Sequence, residues 1–176
     1  MRALCVLAVL ALATAALAGT AGEMTPQQAM EKMMNCPVCS AWSKEPGVVD
    51  NIRYDIIQLK NGYVETFVTA DEKMMPAFDK CSAECEKRIA AVPTMSQEEK
   101  DKLCPFCVGH GKLASRTDLE FEMHKTHTGW VTVASSSTPE GVKALHGYAA
   151  KAKKHADLLA QAGAEMSKKD TQKAKM

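Results

Sequence analysis

The chain has 176 residues, with 22 Lys and Arg against 21 Asp and Glu, for a formal net charge of +1. That balance gives no basic footprint for nucleic acid, and the length suits one domain with a real core rather than several. Seven cysteines and 11 methionines against only 5% aromatic residues make sulfur the distinctive part of the composition.

In chain order, the first segment is Arg2 followed by an apolar run from Ala3 to Leu17. Ala16 and Ala18 stand at the −3 and −1 positions of a cleavage site before Gly19. Residues 1–18 therefore read as a secretory signal peptide, which places the mature chain in the periplasm or outside the cell. Cys5 leaves with that leader, and six cysteines remain in a compartment that permits disulfides. No later apolar run is long enough to span a bilayer, so no membrane span is expected in the mature chain.

Thr25-Pro26 opens a helix, with Thr as N-cap and Pro at the first helical position. Cys36-Pro37-Val38-Cys39 follows, then a short helix stopped by Pro46-Gly47. β-branched and aromatic residues flank Asn61-Gly62, which predicts a hairpin with a type I′ turn over those two residues. A helix from about Glu72 to Ala91 carries Cys81 and Cys85, with Met74, Met75, Phe78, Ile89 and Val92 as its core candidates. Ser96 and Glu99 then form a capping box ahead of Cys104-Pro105-Phe106-Cys107. The helix after that pair weakens at Gly109 and Gly111. A second hairpin turns at Thr128-Gly129, and a helix from about Pro139 to Gln161 follows, with Val142, Leu145, Tyr148, Leu158 and Leu159 facing inward. Residues 167–176 are lysine-rich and read as a flexible tail.

Setting Cys36 on Cys104 brings the chain into register with itself at an offset of about 67 residues. Pro37 meets Pro105, Cys39 meets Cys107, Gly62 meets Gly129, and Tyr63 meets Trp130. Residues 19–92 and 93–166 thus read as two tandem α-ββ-α repeats. The expected fold class is α+β: one pseudo-symmetric domain whose two hairpins join in a four-stranded antiparallel sheet packed on helices.

The cysteines allow three arrangements. Cys36 and Cys104 sit where N-caps would, so the following helix dipole favours thiolate in both Cys-Pro-x-Cys pairs. Cys81 and Cys85, at i and i+4, share one helix face and cannot pair well with each other. In the first arrangement they form disulfides with Cys36 and Cys39, while Cys104 and Cys107 close on themselves, giving a disulfide-stabilised interaction module. In the second, Cys36, Cys39, Cys81 and Cys85 present four thiolates to a soft metal ion, Zn²⁺ or Cu(I). In the third, a Cys-Pro-x-Cys pair works as a redox dithiol. Nearby Met30, Met33, Met34, Met74 and Met75 are read as core filler before thioether ligands.

Among five histidines, His110 is the best ligand candidate, because Cys104, Cys107 and His110 offer three donors. His124 and His127 point to opposite faces of their strand, with His127 expected beside Trp130 and His124 beside Val133. Nothing resembles a nucleophile elbow, a phosphate loop or a haem attachment, so an enzyme is not the default reading. The sequence leads to a secreted or periplasmic protein that binds a soft metal ion through its cysteines, with candidate ligands Cys36, Cys39, Cys81, Cys85, Cys104, Cys107 and His110.

Overall fold

The computed structural model describes residues 24–173, with side chains described through 165. Residues 1–18, read as a signal peptide from the sequence, lie outside the described residues. The elements are α1 (Pro26–Asn35), a 3₁₀ helix (Cys39–Lys44), α2 (Val48–Asn51), β1 (Ile52–Leu59), β2 (Gly62–Thr69) and α3 (Met75–Ala91). Then come α4 (Gln97–Asp101), α5 (Pro105–Ala114), β3 (Glu120–Thr126), β4 (Gly129–Ser135) and α6 (Pro139–Lys173). None of the described helices is long and apolar enough to cross a membrane.

Local chemistry explains the boundaries. Thr25 Oγ1 accepts from the Gln28 N–H at 3.2 Å while Gln28 Oε1 accepts from the Thr25 N–H at 2.9 Å. Ser96 and Glu99 repeat this reciprocal box ahead of α4. α1 ends at Cys36 and α5 starts after Cys104, and in both places a proline follows the cysteine. The proline ring disfavours helical dihedrals in the preceding residue. Cys36 accordingly lies at φ −67°, ψ 128° and Cys104 at φ −70°, ψ 162°.

The mixed helix-and-strand fold has one four-stranded antiparallel sheet, ordered β1-β2-β4-β3. Tyr63, Glu65 and Phe67 of β2 lie opposite Ala134, Thr132 and Trp130 of β4, and together these residues share the helix-facing side. Glu65 pairs with Thr132 at the centre of this junction, and Gly62 and Gly129 stand at its two ends.

Both predicted hairpins form, but their tips differ from the sequence expectation. Leu59 pairs with Gly62 and Thr126 with Gly129, so the loop residues are Lys60-Asn61 and His127-Thr128. No non-glycine residue among those described has positive φ, and Gly62 has none either, so the type I′ turn is absent. Glycine is needed at 62 for a different reason: a Cβ there would lie 1.8 Å from the Ala134 carbonyl oxygen of the crossing strand. Gly129 faces Phe67 O in the same way, at 2.3 Å, and does adopt a positive φ of 148°. The shifted tip also moves the histidines. His124 stands opposite Val131 and Lys125 opposite Trp130, while His127 lies in the loop.

Two buried clusters fill the space between helices and sheet. One gathers Cys36, Val38, Trp42, Val48, Phe78, Cys81, Cys85 and Cys104, with Met74 and Met75 packed against it. The other gathers Ile56, Tyr63, Leu113, Leu145, Tyr148 and Ala152. Phe106 packs against both and joins them. Ile89, expected inside, is exposed on the outer side of α3. The final helix continues past Gln161 into the segment read as a tail, keeping its backbone helical through Lys173. No proline or glycine follows Gly163, and Ala, Glu, Gln and Lys sustain a helix.

His155 of α6 is buried among these helices and carries an Nε2 with no hydrogen-bond partner. Burial, and then the Lys32 charge, hold its imidazole below the usual histidine range. The unfolded chain therefore takes up a proton first as pH falls. Stability from this site is complete above about pH 6.5, the unfolded value, and is lost as pH drops toward the folded one. His155→Leu is expected to flatten the stability profile between pH 7 and 5, read by chemical unfolding against wild type. An equally steep acid slope in the variant would remove His155 from the account.

Candidate metal centre

Cys36 and Cys39 open the 3₁₀ helix, and Cys104 and Cys107 open α5, so each pair forms a knuckle at a helix start. The backbone geometry of the two matches. Ser40 N–H donates to Cys36 O and Val108 N–H to Cys104 O, both at 3.0 Å. Within each turn the second cysteine's backbone also favours the thiolate form of the first.

The two knuckles meet. Sγ–Sγ separations are 3.4 Å for Cys39–Cys107, 3.5 Å for Cys39–Cys104 and 3.7 Å for Cys36–Cys107. All four sulfurs lie within 4.8 Å of one another. Cys36 and Cys104 are fully buried, whereas Cys39 and Cys107 retain some exposure. None of the six described cysteines is in a disulfide.

Four thiols at this spacing cannot titrate independently. Cys36 is pulled well below the usual thiol range, first by its contact with Cys104 and then by Cys107 and Cys39. Cys104 is pulled down too, chiefly by Cys107. Cys39 and Cys107 are pushed far up, each first by Cys104. The protons are shared unequally among the four sulfurs, and the titration belongs to the cluster as a whole. A soft cation that replaces those protons would meet four sulfur donors already gathered.

The spacing is that of a site able to hold a metal ion. A tetrahedral site with bonds of about 2.3 Å has S–S edges of about 3.8 Å. These three separations, 3.4 to 3.7 Å, are near that edge. One ion, rather than a cluster with several metals, matches sulfurs this close.

The sequence reading paired Cys36 and Cys39 with Cys81 and Cys85; the structure pairs them with Cys104 and Cys107. Cys81 and Cys85 do face the first knuckle, but from behind. The Cys85 thiol donates to Val38 O, inside the turn, at 3.5 Å. Burial pushes the Cys85 thiol up to about 12, and burial raises Cys81 as well. Neither is among the four clustered sulfurs, and the cross-links expected between them and the knuckle are absent. His110 is not among the four clustered donors; its Nε2 lies 3.8 Å from Glu65. One turn of α5 beyond Cys107, its ring instead packs on Tyr148, with centroids 4.9 Å apart.

Sequence reasoning missed Arg88. Its Nη1 donates to Pro37 O and to Ser40 Oγ, both at 2.9 Å, and its Nε pairs with Glu84. The side chain is only 18% exposed. Arg88 thus braces the first knuckle and places a cation beside a site whose thiolates carry negative charge. The signal was available: Arg88 is one helical turn beyond Cys85, on the same face. Arg88→Met is expected to weaken metal binding about 10–100-fold, the usual cost of losing an outer support. Arg88→Lys keeps the charge without the fork and is expected to recover part of it. Competition titration against a colorimetric chelator measures both; unchanged affinity in Arg88→Met would reduce Arg88 to a surface residue.

No family model matches the chain, and no curated protein or solved structure matches it.

Proposed function

We propose that the protein is a secreted or periplasmic metal-binding protein that holds one Zn²⁺ ion through Cys36, Cys39, Cys104 and Cys107. The observation that carries this reading is the convergence of two Cys-Pro-x-Cys turns, far apart in sequence, on a single point at tetrahedral sulfur spacing. Zn²⁺ is preferred to Cu(I) because four donors are presented at once. Buried sulfurs kept as thiols also fit the leader at residues 1–18: metal ligation would protect them from oxidation in a disulfide-forming compartment.

The reading includes an origin for the site. Two tandem α-ββ-α repeats, 19–92 and 93–166, each supply one knuckle and one hairpin. Supporting this, Glu65 pairs with Thr132, its own equivalent at the repeat offset, at the centre of the β2–β4 junction. Gly62 and Gly129 are equivalent in the same way, and each meets the backbone of the other hairpin.

The test is elemental analysis and intact mass of the exported protein, purified without chelator. The expected result is one zinc per chain, a mass beginning at Gly19, and six alkylatable thiols after unfolding in chelator. A chain without metal whose mass has lost hydrogens through disulfide formation would overturn the proposal. Co²⁺ substitution provides a second readout, since four thiolates give intense sulfur-to-cobalt absorption.

A further inference from the structure

The sheet has two edges, and they are treated differently. β1 is flanked by α6: His146 Nε2 lies 2.8 Å from Leu59 O, and Lys153 approaches Asp55 at 3.8 Å. Among the described residues β3 has no such cover. Six of its seven residues are exposed, and the seventh is half-buried. The neighbouring helix α3 reaches this strand through the Lys125–Asp79 ion pair at 2.8 Å. Phe121 and Met123, two residues apart and so on one face, are 43% and 60% exposed. An open edge strand with exposed apolar side chains is a template for another strand.

We propose that β3 pairs antiparallel with β3 of a second copy, joining two four-stranded sheets into one of eight strands. The occupant follows from the strand's own sequence, Glu120-Phe-Glu-Met-His-Lys-Thr126. Centred on Met123, self-pairing sets Glu122 of each copy opposite His124 of the other, twice. On the opposite face Met123 meets Met123, and Phe121 meets the aliphatic stem of Lys125, with both stacks beside the apolar row. Every opposed pair is then complementary.

The alternatives are worse. Opposed residues must point to the same face, so the centre can shift only by whole residues that keep each side chain on its side. Centring on Glu122 places two glutamates directly opposite. Centring on His124 opposes two histidines and sets Lys125 against Met123. Only the Met123 centre sets each carboxylate of Glu122 against an imidazole of His124 and keeps apolar neighbours together. The two-fold axis stands perpendicular to the sheet, so both sets of helices lie on the same side and the two metal centres stay apart.

Sedimentation equilibrium of the exported protein tests this. The expected mass is that of a dimer. Met123→Lys places two cations face to face and is expected to give a monomer with unchanged circular dichroism and metal content. Glu122→Lys and His124→Glu should each weaken association at least tenfold, and the double variant, with the charges exchanged, should restore it. A monomeric wild type, or a dimer that survives Met123→Lys, overturns the proposal. Failure of the charge exchange to restore association overturns the register. Metal content read in the same samples keeps this outcome separate from that of the zinc assignment.

Discussion

Cys39→Ser and Cys107→Ser are expected to abolish stoichiometric zinc binding, whereas Cys81→Ser and Cys85→Ser should keep one zinc per chain. The first pair removes sulfurs that stand 3.4 Å apart at the meeting of the knuckles. Losing an outer support costs about 10–100-fold in affinity, so losing a ligand should cost more than about 100-fold. The second pair is packed in the core, outside the four clustered sulfurs. Replacing Cys85 puts a hydroxyl where a thiol packed, at about 1–3 kcal/mol, since it can still donate to Val38 O. Metal content and thermal unfolding, each with and without chelator, separate the two classes. Zinc retained at full stoichiometry in Cys107→Ser would sink the assignment of the second knuckle. Zinc lost in Cys85→Ser, with the fold intact, would return that residue to the ligand set.

Phe78→Ala is expected to destabilise the fold by about 3–5 kcal/mol, the range for a fully buried phenylalanine. Phe78 is 0% exposed and touches both Trp42 and Phe67, with ring centroids 5.1 and 5.4 Å away. Trp42 and Phe67 meet edge-on at 4.8 Å, which closes a triangle of rings below the first knuckle. Trp42 lies in the 3₁₀ helix that begins at Cys39. A cavity under it should therefore loosen that ligand as well. The melting temperature should fall steeply, and chelator should lower it further. Equal stability of Phe78→Ala and wild type would show that the triangle carries no load.

The parts legible in the sequence are those set by neighbours along the chain. Thr25-Pro26 and Ser96 to Glu99 start helices where the caps require. Pro37 and Pro105 force the cysteine before each out of the helix, which fixes the knuckles. Alternation of β-branched and aromatic residues marks both hairpins. The parts that stayed hidden depend on what meets across the fold. Gly62 looks like a turn glycine, but the crossing strand at Ala134 is what demands it. Cys81 and Cys85 look like the missing half of a chelate because the pattern of thiols along a helix does not show which knuckle stands opposite. Their place in the core, apart from the four clustered sulfurs, is a property of the assembled fold. Ile89 has the spacing of an inward residue but lies beyond the area α3 covers.

The two knuckles lie 65 to 71 residues apart along the chain and yet share one point in space. Each alone is a two-toothed claw with ordinary, weak affinity. Their joint grip depends on how high a local concentration of the second claw the rest of the chain maintains around the first. Affinity is thus a gauge of how firmly the two halves are docked. A substitution anywhere along the β2–β4 seam that lets the halves part should register as faster zinc release, even with every sulfur in place.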